Sequence, residues 1–591
     1  MSHAAAGRLA ILALGAVLAG AGCQPAGPVA TDADVIVVGA GIAGLSAALE
    51  AESHGARVLV VEASSVAGGH AVRAGGFALV DTPLQRARGL QDSPDAAYRD
   101  LMAWGEDADP WWVRSYVDNS REQVHDWLTA MGVKFTTVLP APQASVPRFH
   151  FTRGAAVNAV VPMISEALRR PRIEFLWNTE ATELLRRDGR ISGVRTERNR
   201  TGGRRLYQAP AVILATGGYQ SNLDLVRRTW RADLPEPARL LIGSGQHAIG
   251  SGLQLTEPFG AARIRMDHQV TFVDGLPDPR NPGHGLVAQN RAAIWVDAAG
   301  RRFTNEAAPS KVTDRAVLRL SPATHWLVFD AGGARQLAVR GAAWLAGKSL
   351  QQEILDNPAL AKKADSIEAL AEAAGLPSAA LAETVKRFNR FVDQGMDTDF
   401  GRIGPGMTEP PPPALREPPF YAVQLFPMTR KSMGGLAIDH EARVLGGAGQ
   451  VIRGLFAAGE LTGVAGINGS YGGEGTFLGP SVLIGRIAGR SAVALALGPQ
   501  ALGTHGPAAA PPPLQPPVQP PAVPPPRTPA ANLPALLAQQ RRGYWHFGVS
   551  HALVTERGDA CESCHRDGWA PGPALTTGQR LVQLESCTRC H

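Results

Sequence analysis

Two short segments near the C-terminus have the residue types and the spacing for iron–porphyrin chemistry. Each has two cysteines separated by two residues and followed at once by histidine: Cys561, Cys564 and His565, then Cys587, Cys590 and His591. Two thiols at this spacing can add to both vinyl groups of one haem, and the next histidine can ligate its iron. The pattern therefore predicts two c-type haems, with the cysteines as attachment sites and the two histidines as axial ligands.

The alternative for the same cysteines is zinc, because C-x2-C-x22-C-x2-C is close to the spacing of a four-thiolate ribbon. Haem is favoured because a four-thiolate site does not need a histidine after each pair. The segment after residue 535 also contains four histidines and no methionine. Two irons need four axial ligands, so we predict His546 and His551 as the distal ligands of low-potential haems. A histidine from a neighbouring subunit is the alternative source.

A glycine-rich segment near the N-terminus has the spacing of a dinucleotide-binding turn. Gly39 permits a tight turn, Gly41 lets the backbone approach a pyrophosphate, and Gly44 lets the following helix pack closely on the preceding strand. The helix N-terminus would add a favourable dipole for the phosphates. Glu62 lies 18 positions past Gly44 at the end of a second predicted strand. We expect its carboxylate to bind the hydroxyls of an adenosine ribose.

The first residues predict export. Arg8 precedes an apolar run, Leu9–Leu18, that is too short to span a bilayer in a mature protein. Small residues lead to Cys23, which resembles the lipid-modified cysteine of bacterial lipoproteins, although the leucine usual in that motif is missing here. Residues 1–23 are therefore predicted as an export signal, with lipidation of Cys23, simple cleavage or an uncleaved anchor as alternatives. The expected location is the periplasm, either free or membrane-anchored.

The length and the composition of the chain restrict the classes of protein to which it can belong. Single cores rarely exceed about 250–300 residues, so a chain of 591 residues should form several domains. The net charge of +6 without a basic tract argues against a nucleic-acid partner. Residues 507–526 contain 11 prolines, a composition that favours extended polyproline structure over a packed core. We expect a Pro-rich linker at 501–535 and a separate module at 536–591.

Hydrophobic periodicity predicts the elements that position the glycine-rich segment. Buried-strand patterns occur before it, after it and again further along the chain, at 34–38, 57–61 and 211–214. A helix with one apolar face is predicted over 42–53. Residues 84–170 look mainly helical, including one helix over 110–131, and further helices are predicted near 366–391 and 480–497.

Motifs distributed along residues 31–498 carry a family resemblance. In chain order they are GAGIAGL at 39–45, VVEASSVAGGHA at 60–71, AGGFA at 74–78, ATGGY at 215–219, GRRFTNE at 300–306, SMGGL at 432–436 and GLFAAGELTG at 454–463. Together they resemble the FAD-dependent fumarate reductase/succinate dehydrogenase flavoprotein group. With the haem motifs, the chain resembles the flavocytochromes c of that group. The resemblance implies hydride transfer between flavin and a substrate carbon, in a cleft under a mobile cap.

The resemblance also implies an FAD site and a fold. The cofactor-binding residues would be Gly39, Gly41, Gly44, Glu62, Gly69, Gly75, Gly76, Gly217, Glu460 and Ser481, with Glu460 at the ribityl–phosphate part. FAD should bind non-covalently, because His70 is one position away from the spacing of the flavin-linked histidine in respiratory enzymes. The predicted fold is α/β, with a Rossmann-like FAD-binding domain at 31–271 and 419–500 interrupted by an α+β cap domain at 272–418. A small, mainly irregular or helical di-haem module would follow the linker.

The active-site segments depart from the fumarate pattern. In members that act on fumarate or succinate, an arginine past the R-F-x-N-E motif donates the proton, and here that position is Ser310 or Lys311. Arg430 and Lys431 stand where those members have histidine before M-G-G, and 468–473 lacks the arginine that clamps a substrate carboxylate. Fumarate reduction is therefore disfavoured.

A second branch of the family matches one of these segments better. Tyr471 and the glycines after it resemble the corresponding segment of the 3-ketosteroid dehydrogenases, which implies that Tyr471 polarises a substrate carbonyl with help from the backbone of Gly475. The alternative is a packed aromatic in a turn. Arg430 and Lys431 are candidate anion clamps or proton donors, unless they form a solvated surface pair, and Lys311 is a further candidate acid.

Two functional hypotheses follow. The first is an exported flavocytochrome c oxidoreductase that transfers hydride at a C–C bond next to a carbonyl or carboxylate, while the two haems relay single electrons. The second is a non-catalytic flavin and haem electron-transfer lipoprotein. The expected partners are a small-molecule substrate, an external cytochrome or quinol-linked electron partner, and a membrane through a lipid anchor.

Overall fold

The computed structural model describes residues 31–153, 155–405 and 411–503. The export signal and the haem module lie outside the described residues. So do most of the linker and these predicted sites: Cys23, Cys561, Cys564, Cys587, Cys590, His546, His551, His565 and His591.

The chain mixes strands and helices, with runs of consecutive strands such as β7–β10 and of consecutive helices such as α2–α5. The strands are β1 Val35–Val38, β2 Val58–Val61, β3 Phe77–Ala78, β4 Phe135–Leu139, β5 Phe149–Thr152, β6 Ile173–Leu176, β7 Thr179–Arg187, β8 Arg190–Arg198, β9 Arg204–Gln208, β10 Ala211–Leu214, β11 Leu241–Ile242, β12 Arg263–Ile264, β13 Gln269–Pro277, β14 Gly285–Asn290, β15 Ile294–Val296, β16 His325–Phe329, β17 Leu337–Arg340, β18 Ala361–Ala364, β19 Phe420–Ser432, β20 Gly435–Leu436, β21 Arg443–Leu445 and β22 Val451–Ala457. The α-helices are α1 Ile42–Ser53, α2 Pro83–Ala87, α3 Pro94–Gly105, α4 Pro110–Asn119, α5 Trp127–Ala130, α6 Val157–Arg169, α7 Leu223–Arg228, α8 Ser251–Thr256, α9 Ser310–Leu318, α10 Ala331–Ala334, α11 Ile367–Ala374, α12 Ser378–Gln394 and α13 Leu478–Leu497.

The first sheet carries the glycine-rich turn. Its strand order is β21-β22-β10-β1-β2-β6, and every pair except β21–β22 is parallel. Val35 and Val37 pack with α1, α6 and α13 on one face, whereas Ile36 and Val38 pack with strands β7 and β8 on the other. Because both faces are covered, the strands are continuous apolar runs, as parallel sheets require.

Helix α13 closes this layer against α1. Arg486 Nε donates to Glu50 Oε2 over 2.7 Å, and Arg490 Nη1 donates to Glu50 Oε1 over 2.7 Å. In the described part of the chain α13 is the one helix long and apolar enough to cross a membrane, but 61% of its most apolar stretch is buried in the protein. It packs as a core helix.

The second large sheet is built around β19. Its main order is β15-β16-β19-β13-β14-β17, and β11 and β18 also pair with β19. The first half of β19 pairs with β16 and β18, and its second half pairs with β13 and β11. The cap boundaries predicted at 271/272 and 418/419 therefore fall within β13 and just before β19. This strand carries Arg430 and Lys431 from the cap sheet to the flavin side.

Several element predictions are confirmed and others need correction. The strand at 211–214 and the helix at 42–53 agree with β10 and α1. The single helix expected over 110–131 is α4 and α5 joined by a π-helical segment, Ser120–Asp126, and 84–170 also contains β4 and β5. The helix expected over 366–391 is divided into α11 and α12, because Gly375 adopts φ +70° and Pro377 follows.

Candidate active site

The glycine-rich turn forms a cradle of the shape that a dinucleotide needs. A Cβ on Gly39 would lie 2.5 Å from the carbonyl oxygen of Ala215, and one on Gly44 would lie 1.9 Å from the carbonyl oxygen of Gly39. These two glycines are therefore required by backbone packing. In contrast, a Cβ on Gly41 or Gly217 would meet no atom within 4 Å. Their open sides leave room for a ligand to approach the backbone at the start of α1.

Glu62 lies where the sequence predicts it, at the end of β2. Its carboxylate accepts from the backbone N–H of Ala40 over 2.6 Å and of Ser64 over 2.8 Å. Although these hydrogen bonds favour the anion, burial is the larger effect and raises the pKa of Glu62. The carboxylate is thus held beside the glycine-rich turn, and its contact with a ribose stays a prediction.

A second group of predicted cofactor residues gathers across the cradle. Glu460 Oε1 accepts from the backbone N–H of Ser432 over 2.9 Å, and Glu460 Oε2 lies 3.8 Å from His70 Nδ1. Burial alone would raise the pKa of Glu460, but the His70 ring and Ser432 hold it below its usual range. Gly459 at φ +74° places Ser481 of α13 next to this turn.

Several buried polar atoms in the segments around Glu460 and the glycine cradle have no partner among the described residues. Thr216 Oγ1, Ser244 Oγ, His70 Nε2 and both amide atoms of Gln220 have no hydrogen-bond partner in the described structure. Burying such groups unsatisfied is costly. A bound flavin nucleotide would supply polar partners, so the residues present fit FAD. Gly69 and His70 lie in the short segment Gly69–Arg73, and the contact of Gly69 with the cofactor stays a prediction.

A cavity of about 540 Å³ opens beside the second large sheet, and residues of β13, β14 and β19 line it together with residues of β5 and α9. Gly75 and Gly76 line it, and a Cβ on Gly76 would lie 2.1 Å from the carbonyl oxygen of His150, so this wall of the cavity needs glycine. All four predicted catalytic residues also line it: Arg430, Lys431, Lys311 and Tyr471. Aromatic side chains form much of the remaining wall, namely Trp104, Phe149, Phe151, Trp230, Phe272 and Phe477.

Lys431 is a cation in a largely apolar part of this cavity. Its Nζ lies 4.2 Å from the centre of the Phe477 ring and makes no hydrogen bond or ion pair with the described residues. Burial and, secondly, the neighbouring Arg430 lower the pKa of Lys431 to about 8, although Glu460 and Glu474 oppose the shift. The amine can therefore lose or donate a proton near neutral pH.

Arg430, the next residue, is anchored more firmly. Its Nη1 donates to the backbone carbonyl of Gly243 over 2.5 Å, and its guanidinium lies 5.5 Å from the centre of the Phe272 ring. The pair is not a solvated surface pair, because both side chains are partly buried and line the cavity. The structure therefore places two adjacent cations where an anionic substrate group could bind.

Tyr471 is the most unusual group in the cavity. The residue is 9% exposed, and its hydroxyl is buried without a partner among the described atoms. Lys311 Nζ lies 4.1 Å from its ring centre, and the guanidinium carbons of Arg315 and Arg231 lie 4.9 Å and 5.5 Å from it. Three cations around the Tyr471 ring favour the binding of a negatively charged group nearby.

The side chain of Lys311 is held by hydrogen bonds that the sequence does not predict. Its Nζ donates to Glu106 Oε1 over 2.6 Å and to the backbone carbonyl of Trp104 over 3.2 Å. In this geometry its ammonium positions α3 against α9 and lies over the ring of Tyr471. Ser310, the other candidate for the same role, also lines the cavity.

The sequence interpretation did not assign a role to Arg231 or Arg315. Both bind Asp233, and Arg315 Nε is buried without a partner in the described structure. A signal existed for Arg315, since it lies four residues after Lys311 and so on the same face of a helix. Nothing in the sequence indicates that Arg231 reaches Tyr471, because they are distant in the chain.

A hydrogen-bonded group lies beside Tyr471. His268 Nε2 lies 2.8 Å from Asp107 Oδ2 and 3.3 Å from the hydroxyl of Ser470. Although burial would raise it, the hydrogen bond with His268 holds the pKa of Asp107 below its usual range. The imidazole ties α3 to the turn that carries Tyr471 and thereby fixes that turn.

Comparison with known proteins shows the family of this chain. Residues 34–478 match the FAD binding domain family. A fumarate reductase (cytochrome) of Shewanella frigidimarina is 34% identical over 468 residues, covering 78% of this chain and 76% of the relative. A KsdD-like steroid dehydrogenase of Mycobacterium tuberculosis is 30% identical over 546 residues, covering 78% of this chain and 95% of the relative.

The fold is similar to a solved structure as well. The open conformation of a flavocytochrome c3 fumarate reductase superimposes with a TM-score of 0.66 at 28% identity, covering 80% of each chain. These matches show one family. The chain belongs to the FAD-binding flavoprotein family of the fumarate reductases and KsdD-like steroid dehydrogenases, and it is an FAD-dependent oxidoreductase.

Proposed function

We propose that this enzyme adds or removes hydrogen across a C–C bond next to a carbonyl or carboxylate group. As an FAD-dependent oxidoreductase of this family, it acts on CH–CH groups. Bound FAD would supply or accept the hydride, which carries two electrons. The observation that carries the proposal is the arrangement of Lys431 and Tyr471, since both line the same cavity and the polar end of each has no partner among the described residues.

The charges in the cavity suit this reaction. When hydride adds to a carbon–carbon double bond, negative charge develops on the conjugated oxygen. Lys431, Arg430 and the Tyr471 hydroxyl all line the cavity and would be donors for that oxygen. Removing one preorganised donor of this kind typically costs about 100- to 1,000-fold in turnover.

The cavity also bears on the class of substrate. Its walls combine these cations with the aromatic rings of Trp104, Phe149 and Phe151. A substrate with an apolar or aromatic body and one carbonyl or carboxylate would use both features. The relatives include a named fumarate reductase and a named steroid dehydrogenase. Fumarate is the weaker candidate, because the carboxylate-clamping arginine of its motif is absent from 468–473.

We further propose that two C-terminal c-type haems pass the electrons on, one at a time, to an external cytochrome or quinol-linked partner. The support is the pair of C-x-x-C-H motifs and the naming of the Shewanella relative as a cytochrome. Haem of this kind is attached outside the cytoplasm, so the proposal includes export, with Cys23 as a possible lipid anchor. The proline-rich linker would let the haem module move between the flavin and its partner.

Anaerobic spectroscopy of the purified full-length protein tests the proposed reaction. A panel of enoates, aryl enoates and cyclic ketones is mixed with the oxidised and the dithionite-reduced enzyme, and the flavin absorbance is followed. At least one compound should bleach or reoxidise the flavin, and Lys431→Met and Tyr471→Phe should slow that step, whereas Lys386→Met at an exposed site should not. No response to any compound in either direction would contradict the proposal.

A further inference from the structure

Two arginines beside the ring of Tyr471 have no role in the reaction proposed above. Arg231 lies in the segment after α7, and Arg315 lies on α9. Their guanidinium carbons lie 5.5 Å and 4.9 Å from the centre of the Tyr471 ring, and all three residues line the cavity. Segment 468–473, to which Tyr471 belongs, contains no arginine. The positive charge at this wall therefore comes from two other parts of the chain.

Two buried donors at this wall have no acceptor among the described residues. One is Nε of Arg315, and the other is the hydroxyl of Tyr471. Nε is bonded to the guanidinium carbon that lies 4.9 Å from the ring centre, so the two donors belong to neighbouring groups. Leaving such donors buried and unsatisfied is costly. A ligand that carries acceptor oxygens would remove this cost.

The carboxylates that pair with these cations do not balance their charge. Asp233 accepts from Nε and Nη2 of Arg231 over 2.6 Å and 3.1 Å, and from Nη2 of Arg315 over 3.3 Å. The hydrogen bonds from Arg231 hold the pKa of Asp233 below its usual range, so one anion serves two guanidinium groups. Lys311, the third cation at the ring, pairs with Glu106. Three cations and two carboxylates leave one positive charge.

The rest of the cavity does not cancel this charge. Six lysines and arginines line it, against four acids, which are Asp267, Asp278, Asp314 and Glu474. In the described part of the chain, Arg231 and Arg315 form ion pairs with Asp233 alone. A cavity lined mainly by cations raises the local concentration of anions. It should therefore bind an anion in preference to a neutral compound of the same shape.

The surface beside the two arginines is apolar. Trp230, Leu234 and Leu318 line the same cavity. Leu234 and Leu318 belong to one buried hydrophobic cluster, and Trp230 packs against it. A ligand whose anionic group met the arginines would thus have hydrocarbon surface available for the rest of its body.

We propose that Arg231 and Arg315 bind a carboxylate of the substrate, which is an unsaturated acid with one carboxylate and an apolar body. A guanidinium presents its N–H groups in a fork that matches two carboxylate oxygens. Nε of Arg315 would make the new contact, and Asp233 would hold both guanidinium groups in place. The Tyr471 hydroxyl would stay a donor to a conjugated oxygen. This inference deepens the proposed function and rests on it for the reaction, whereas binding of the carboxylate does not depend on turnover.

Calorimetric titration of the full-length, FAD-loaded protein in its oxidised state tests the carboxylate site. Oxidised flavin has no hydride to give to a double bond, so binding is measured without reaction. The probes are acrylate, crotonate and cinnamate, each compared with its amide, which has nearly the same shape and no charge. At least one acid should bind at least about 10-fold more tightly than its amide, as expected for hydrogen bonds to a charged group.

Substitutions locate the carboxylate. Arg315→Met should weaken binding of that acid by about 10- to 100-fold and leave binding of the amide unchanged, and Arg231→Met should act in the same direction. Arg315→Lys keeps the charge but loses the fork, so its affinity should fall between Arg315→Met and wild type. The matched control is Arg319→Met, since Arg319 is exposed directly after α9; it should bind like wild type. FAD content and circular dichroism report whether each variant is folded.

Several results would overturn the carboxylate site. One is equal affinity for acid and amide across the panel, and another is a preference for the acid that survives both Arg315→Met and Arg231→Met. A preference lost in Lys431→Met but kept in Arg315→Met would also overturn it, because the carboxylate would then bind at other cations. If Arg315→Met does not fold, Arg231→Met and Arg315→Lys decide in its place.

The same experiment separates this inference from the proposed function. If the preference for the acid depends on Arg315 but no compound is turned over, the proposed function fails and the carboxylate site stands. If neutral ketones are turned over and no acid is preferred to its amide, the proposed function stands and the carboxylate site is overturned.

Discussion

Replacing Lys431 with methionine should stabilise the protein at neutral pH, although it removes a proposed catalytic group. Burial lowers the pKa of Lys431 from 10.5 to about 8, so the folded protein holds this proton less tightly than the unfolded chain does. The difference of about 2.5 pKa units corresponds to about 3 kcal/mol at about 1.36 kcal/mol per unit. Methionine keeps an apolar stem and removes the charge. The free energy of unfolding at pH 7 should therefore rise by up to about 3 kcal/mol.

The sign of the pH dependence is a second part of the same prediction. Between pH of about 8 and about 10.5 the unfolded chain still carries the proton that the folded protein has lost, so stability rises with pH in that window. Lys431→Met should remove this rise. Stability should be unchanged by Lys386→Met, because that lysine is exposed on α12.

Urea unfolding of the purified protein across this pH range, followed by circular dichroism, measures both effects. The difference between variant and wild type cancels the contributions of other titrating groups. A Lys431→Met protein that is less stable than wild type at pH 7, with the alkaline rise intact, would show that the ammonium is solvated or paired. That result would refute the reasoning behind the site.

Three further predictions concern the cofactors and the reaction. Gly41→Ala should fold but lose FAD on gel filtration, because its Cβ enters the open side of the cradle. Gly44→Ala should lose FAD and also have a lower melting temperature. Equal FAD content in wild type and Gly41→Ala would contradict the proposed role of the cradle in binding FAD. Tyr471→Phe should lower turnover by about 100-fold with its FAD content unchanged, and unchanged turnover would remove Tyr471 from the site. Deleting residues 536–591 should leave substrate-driven flavin reduction intact and abolish electron transfer to an external cytochrome, and continued transfer would refute the haem relay.

The cofactor end of the site could be predicted from sequence because it is local. The glycine spacing, the adjoining strand and helix and Glu62 lie within about 30 residues, and Gly39 and Gly44 need their residue type for a backbone reason. Gly39 and Gly44 show this directly, since a side chain at either would overlap a neighbouring carbonyl oxygen. Constraints of this kind act between residues that are close in sequence, so the glycine spacing predicts the turn that the structure shows.

The contacts between residues of the proposed substrate cavity could not be predicted in the same detail. Arg231 meets the Tyr471 ring from one segment, and Lys311 and Arg315 meet it from α9. These contacts depend on the curvature and the order of a mixed sheet, which residue spacing does not encode. The sequence therefore indicated Lys311, Arg430 and Lys431 without their partners, and it did not indicate Arg231.

The π-helical segment in the middle of 110–131 could not be predicted from sequence either, because it depends on a contact with a distant part of the chain. Local propensity supports helix throughout that stretch, so a single helix was the natural prediction. In the structure this segment packs on α13, and Arg486 Nη1 donates to the backbone carbonyl of Gln123 over 2.7 Å. A carbonyl that accepts from a buried arginine lies outside what helical periodicity describes.

The central claim, that substrate-derived electrons pass from a flavin to haem within one chain, is tested most directly by anaerobic stopped-flow absorbance of the full-length protein. After a substrate from the panel is added, the flavin band should bleach first and the bands of reduced c-type haem should then rise, with two haem irons and one FAD per chain by analysis. A protein that carries zinc in place of haem iron, or whose haem bands stay oxidised while the flavin is reduced, would contradict the account.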